Sequence, residues 1–162
     1  MDSSPLYPQF AVAWHWIKRS AQKARPDPVA PLPIRRKAPD PGVEIWLARR
    51  PPATLYLSVL TLGEIRKAIS GLADQARRLA LLDWLEVELP AFFAGRVLPV
   101  DAAVADRWGR LLADAGRPLP AIDSLLAATA LERDLVLVTR NENDFAGLPV
   151  QLFNPWAGGS AR

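Results

Sequence analysis

Glu64, Asp123 and Asp144 are the residues of this chain best placed to do chemistry together. Glu64 lies just past an apolar run that reads as a strand, Asp123 lies in the first turn of an expected helix, and Asp144 lies shortly after another expected strand. In an open α/β sheet these positions fall at one edge, where strands end and helices begin. Carboxylates gathered there suit a hard divalent cation, Mg²⁺ or Mn²⁺, which prefers oxygen ligands and keeps waters able to attack a phosphodiester. Asn141, three residues before Asp144, adds a neutral oxygen and an amide that could hold a water or ligand.

Other chemistries are narrowed by what the chain lacks. It has no cysteine, which excludes disulfides, thiolate metal sites and Cys nucleophiles. The single histidine, His15, leaves Ser-His-Asp catalysis and His-rich zinc sites without an imidazole unless that one residue serves. Each acid also has an ordinary explanation. Thr61 and Glu64 have capping-box spacing, Asp123 in a first helical turn is favoured by the helix dipole, and Asp144 before Phe145 can cap a turn. Asp101, at the start of another expected helix, shows how common such acids are. Their joint position and sequence context tip the balance towards a site.

The elements that must position these acids alternate. Strands are expected over Leu55–Leu60, Arg96–Val100, Leu135–Thr139 and Val150–Phe153. Helices are expected over Val43–Arg50, stopped by Pro51 and Pro52, and over Thr61–Leu72. A helix over Arg77–Leu89 is read with Leu79, Leu82, Leu85 and Leu89 facing inward. Asp101–Ala115 follows with Asp101 at its cap and Gly116 past its end, and then Ala121–Arg133 with Ile122, Leu125, Leu126 and Thr129 facing inward. Strands alternating with helices imply an α/β fold with a parallel sheet covered on both faces, and 162 residues suit one domain.

The first 34 residues read differently. Residues 1–37 hold seven basic residues against Asp2 and Asp27, while the rest of the chain is slightly acidic, so the net charge of +3 comes from this segment and says little about the substrate of the body. Eight of the sixteen prolines lie within the first 41 residues, which argues against regular structure there. Residues 1–34 are therefore expected to be a basic, Pro-rich extension, disordered or loosely docked, within which Phe10–Lys23 could form a short helix. That stretch is too short to span a bilayer and lacks the order of a signal peptide, so no transmembrane segment is expected.

Several stretches then carry a resemblance. LYLSVLTLGEIRKAI (55–69), GRPLPAIDSLLAATALERDLVLVTRNENDF (116–145) and VQLFNPW (150–156), with RRKAPDPGVEIWL (35–47) and GRVLPVD (95–101), resemble the PIN-domain ribonuclease toxins of the VapC family over residues 35–156. The resemblance implies a three-layer α/β/α fold and a Mg²⁺-dependent endoribonuclease acting on RNA. It also implies a homodimer, a cognate VapB-like antitoxin and a cytoplasmic setting. By position it assigns the metal-site acids to Glu64, Asp123 and Asp144, with Asn141 and Thr139 in support.

The chain departs from that pattern upstream. Such toxins open with a short apolar strand ending in Asp-Thr-Asn, whereas ARPDPVAPLPI precedes Arg35 here and Asp27 is flanked by Pro26 and Pro28. The first central strand and its acid are thus expected to be absent, as a frameshift or misassigned start would leave them. Either another segment fills the slot or the sheet is damaged. The expected activity is a weakened ribonuclease. The alternatives are a non-catalytic module that dimerises or binds antitoxin, and a basic-tailed protein binding membrane surfaces or nucleic acid.

Overall fold

The computed structural model describes residues 8–12 and 40–157. In these the chain runs β1 (Phe10–Val12), α1 (Pro41–Ala48), β2 (Leu55–Ser58), α2 (Val59–Ser70), α3 (Gln75–Asp83), α4 (Leu89–Phe92), β3 (Val97–Leu98), α5 (Ala102–Ala115), α6 (Ala121–Glu132), β4 (Val136–Val138) and β5 (Leu152–Phe153). The strands form a five-stranded sheet in the order β3-β2-β1-β4-β5, with every pairing parallel. The expected α/β class with a covered parallel sheet is therefore observed.

The first central strand, expected to be absent, is present: of the two expected outcomes the slot is filled, by a segment read as lying outside the domain. Phe10–Val12 lies between β2 and β4, with Phe10 in register with both Leu55 and Val136, and Val12 with both Leu57 and Val138. The ladder extends one residue further, where the Val136 amide donates to the Gln9 carbonyl at 2.9 Å. These same residues open the stretch Phe10–Lys23 that could have formed a short helix; its remainder, with His15, lies outside the described residues. Three apolar residues flanked by Pro8 carry little local signal for a strand. Their state is set by two distant neighbours that each supply backbone partners.

Alternation along β1 feeds two cores. Phe10 and Val12 join Trp46, Leu55, Leu57, Ile65, Trp84, Leu89 and Phe93 on one face, and Ala11 joins Val104, Leu111, Leu126, Leu137 and Phe145 on the other. The first face is pinned by rings from three remote segments. Phe10 meets Trp46 edge-on at 5.2 Å, and Trp46 stacks on Phe153 at 5.5 Å. Gly42, in the first turn of α1, has no room for a side chain, because a Cβ there would lie 2.4 Å from the Pro155 carbonyl. The start of α1 and the closing NPW turn thus touch backbone to backbone.

Two helices differ in facing from the sequence reading. The expected Arg77–Leu89 helix is α3 followed by a π turn over Trp84–Glu88 and then by α4. Its inward residues are Leu81, Trp84, Leu85 and Leu89, while Leu79 is 58% exposed. Leu79 lies about 200° around the helix from Leu81, so a stride of threes starting there drifts off the core face. In α6 it is Ile122 that turns outward, with Leu126 and Thr129 buried as expected and Leu125 half-buried. The cap expected for α5 is observed in full: Asp101 accepts from the Val104 amide at 3.0 Å, and Gly116 ends the helix at φ 62°. Among the described residues no helix is long and apolar enough to cross a membrane.

Replacing the almost fully buried Phe10 by alanine is expected to lower stability by about 3–5 kcal/mol, read from urea unfolding. An unchanged midpoint would show that β1 adds nothing to the sheet.

Candidate functional site

The strand order reverses between β1 and β4, since β1 leads outward to β2 and β3 while β4 leads outward to β5. In an open parallel sheet this switch point opens a crevice at the carboxyl ends of the strands. Val12 and Val138 are register partners there, and Thr139 follows β4 directly.

Thr139 is fully buried, and its amide donates to the Phe153 carbonyl at 3.0 Å, which extends the sheet past β4. Its Oγ1 accepts from the Asn141 amide at 3.1 Å. The Asn141 side-chain amide in turn donates to Asp144 Oδ2. Asp144 sits in a single 3₁₀ turn, Glu142–Phe145, whose Phe145 ring is buried beneath it. The three residues singled out after β4 are thus one hydrogen-bonded chain from the sheet to a half-buried carboxylate. The turn-capping account of Asp144 does not describe this arrangement, because the carboxylate is held by a side chain.

Asp123 is the third residue of α6 and is buried, only 6% exposed. The residue before the helix is Pro120, which makes no side-chain cap. Because Asp123 and Ser124 take the inward positions, Ile122 is left 38% exposed. Burying a carboxylate while an isoleucine faces water runs against solvation, and such inversions concentrate at functional sites. Ser124 fixes this turn: its Oγ donates to the Ala121 carbonyl at 3.1 Å and accepts from Trp108 Nε1 at 2.9 Å. Neither Ser124 nor Trp108 stands out in the sequence. Both read there as ordinary helix-face residues, and no local signal marks their pairing.

Glu64 is half-buried in the second turn of α2. The capping-box explanation for it does not hold. The helix begins two residues earlier than expected, Ser58 is its cap and accepts from the Leu60 amide at 3.2 Å, and Thr61 lies buried inside the first turn. Asp101 is the contrast. Beyond its bond from the Val104 amide it pairs with Arg133. The Val104 amide chiefly, and Arg133 to a lesser extent, hold its carboxyl below the ordinary value of 3.8 against a smaller opposing desolvation. Asp101 is committed to structure.

Among the described residues no three acidic or histidine side chains are drawn together tightly enough to enclose a metal ion. The donor set is nonetheless all oxygen. Mg²⁺ is commonly bound by one or two carboxylates plus waters and substrate phosphate, without a closed protein cage, so this edge fits that ion by donor chemistry.

Comparison with known proteins settles the lineage. The PIN domain family matches residues 34–150. The chain belongs to the PIN-domain family. This PIN domain is 33% identical over 124 residues to Toxin FitB of Neisseria gonorrhoeae, covering 75% of this chain and 89% of that protein. It is 32% identical over 121 residues to VapC ribonuclease Y4jK of Sinorhizobium fredii, covering 73% and 86%. Among solved structures, FitAcB from Neisseria gonorrhoeae superimposes with a TM-score of 0.75 at 28% identity, covering 91% of this chain and 99% of that one. DNA-bound VapBC from Salmonella typhimurium superimposes at 0.68 with 19% identity, covering 92% and 99%, and shares the fold. The family match begins after β1.

Thr139→Val keeps the shape but removes the acceptor of the Asn141 amide, and is expected to cost about 1–3 kcal/mol in urea unfolding. A change within error would disconnect Thr139 from the Asp144 turn. For Asp101, a depressed carboxyl contributes stability that is present above its unfolded value and lost as pH falls through the lower folded one. The thermal midpoints of the parent and of Asp101→Asn, which retains a cap acceptor without titrating, should keep a constant gap near neutrality. Below pH 3.8 that gap should narrow.

Proposed function

We propose that this chain is a Mg²⁺-dependent endoribonuclease of the toxin–antitoxin type, with Glu64, Asp123 and Asp144 as metal-site acids and Asn141 and Thr139 in support. The observation that carries the reading is the Thr139–Asn141–Asp144 hydrogen-bonded chain at the switch point of the sheet, in a PIN domain related to a protein named as a VapC ribonuclease.

The chain's own residues have separable tasks. Asn141 holds one oxygen of Asp144 and so fixes the carboxylate's rotation against the sheet. The Ser124–Trp108 bond keeps the first turn of α6, and with it Asp123, from fraying. Glu64 adds a third carboxylate from α2, which follows the strand next to β1. When bound, Mg²⁺ would polarise the scissile phosphate and lower the pKa of an attacking water. The strand at the centre of the site brings no carboxylate: β1 reads Phe-Ala-Val, and Ala13-Trp14-His15-Trp16 follows. We infer from this a weakened metal affinity and a slow enzyme. We extend the proposal to a homodimer in the cytoplasm with a protein antitoxin as partner, by analogy with the solved VapBC and FitAB complexes.

The same gap favours a second reading, a catalytically inactive PIN module that binds antitoxin or dimerises. One experiment separates them. Under the first reading, single-stranded RNA is cut only with Mg²⁺ or Mn²⁺ present. Asp123→Asn should then slow cleavage by at least the roughly 10- to 100-fold that losing an outer-sphere partner of a metal costs. Ala13→Asp, which places an acid directly after the register partner of Val138, should speed it. Absence of metal-dependent cleavage in both the parent and Ala13→Asp, with antitoxin still captured, establishes the second reading.

A further inference from the structure

Resting on the nuclease reading, we propose that Arg140 and Arg117, which flank the Asp144 turn, grip the phosphates of single-stranded RNA beside the acidic edge. An edge carrying Glu64, Asp123 and Asp144 repels a polyanion, so a substrate backbone that reaches it needs fixed positive charge close by. The described arginines of the helical layers are largely engaged. Arg107 pairs with Glu132, Arg110 with Asp106, Arg133 with Asp101 and Arg66 with Glu86, and Arg96 donates to the carbonyls of Pro52, Leu55 and Phe92.

Arg140 differs from these. It stands between buried Thr139 and half-buried Asn141, the two residues that anchor Asp144, yet is itself exposed and has no ion pair among the described residues. Its exposure follows from position: β4 ends at Val138 and the chain bends at Arg140, past the covered part of the sheet. Arg117 approaches from the other flank. Its Nη2 donates to the Ala146 carbonyl at 2.7 Å, directly after the turn, which spends one donor and leaves an exposed guanidinium with others free for a ligand. Glu142, the nearest other acid of the turn, is occupied by the Asn154 side-chain amide at 2.7 Å. Guanidinium groups match phosphate geometry well, and one before and one after the turn that carries Asp144 would set the strand's path across it.

The test measures binding without cleavage. Labelled single-stranded RNA is titrated with the Asp123→Asn protein in Mg²⁺ over a range of salt concentrations, alone and combined with Arg140→Gln, Arg117→Gln or, as a control far from the edge, Arg110→Gln. For each phosphate no longer neutralised, the slope of log affinity against log salt should become shallower by about 0.7, or about fivefold in affinity at 0.1 M salt relative to a 1 M reference. Arg140→Gln and Arg117→Gln should each show this with unchanged thermal midpoints, and Arg110→Gln should not. Slopes equal to the parent's for both variants, or equal losses in all three, overturn the proposal even if the chain cleaves RNA. A slope change specific to Arg140 and Arg117 upholds it even if the chain fails to cleave.

Discussion

A parallel strand at the centre of a sheet depends on hydrogen bonds from both neighbours, and β1 here is only three residues long. Its backbone is paired to β2 on one side and β4 on the other, in register at every residue. Without it the sheet would be two separate ribbons, β3-β2 and β4-β5, each with a bare edge in the interior. The two hydrophobic cores also meet through it, since Phe10 and Val12 face one and Ala11 the other. The switch point that defines the crevice lies at its carboxyl end, so the geometry of the candidate site is tied to the same strand.

The legible parts of the sequence are those with local causes. The cap at Asp101, the left-handed Gly116, the strand cores at 55–58, 97–98, 136–138 and 152–153, and the helix stop before Pro51 all follow from signals a few residues long. What is not legible depends on distance. Phe10–Val12 becomes a strand because residues 55 and 136 supply partners, and nothing in its own neighbourhood says so. The count by threes and fours starts on exposed Leu79 where Leu81 faces the core, and the π turn at Trp84–Glu88 has no sequence signal of its own.

For the site, the sequence singles out the acids but leaves each with an ordinary structural explanation. The structure removes two of those explanations. Ser58, not Thr61, caps the helix that carries Glu64, and Asp144 is held by Asn141 in place of backbone amides. Asp123 keeps its favourable place in a first helical turn, yet its burial at the expense of Ile122 goes beyond what the helix dipole asks. Asp101 is spent on its helix cap and on Arg133, which is why equal-looking acids in a sequence carry unequal meaning.

The register of β1 with β4 also has a kinetic side. Phe10 pairs with Val136, so the innermost strand of the sheet gains its second neighbour only after most of the chain has been synthesised. Pairing across such a sequence separation is slow, because loop closure must precede the contacts that reward it. In the interval one edge of a central, apolar strand stands open. The period of greatest aggregation risk for this chain therefore falls on the ribosome and just after release, before α6 has delivered β4 to its place.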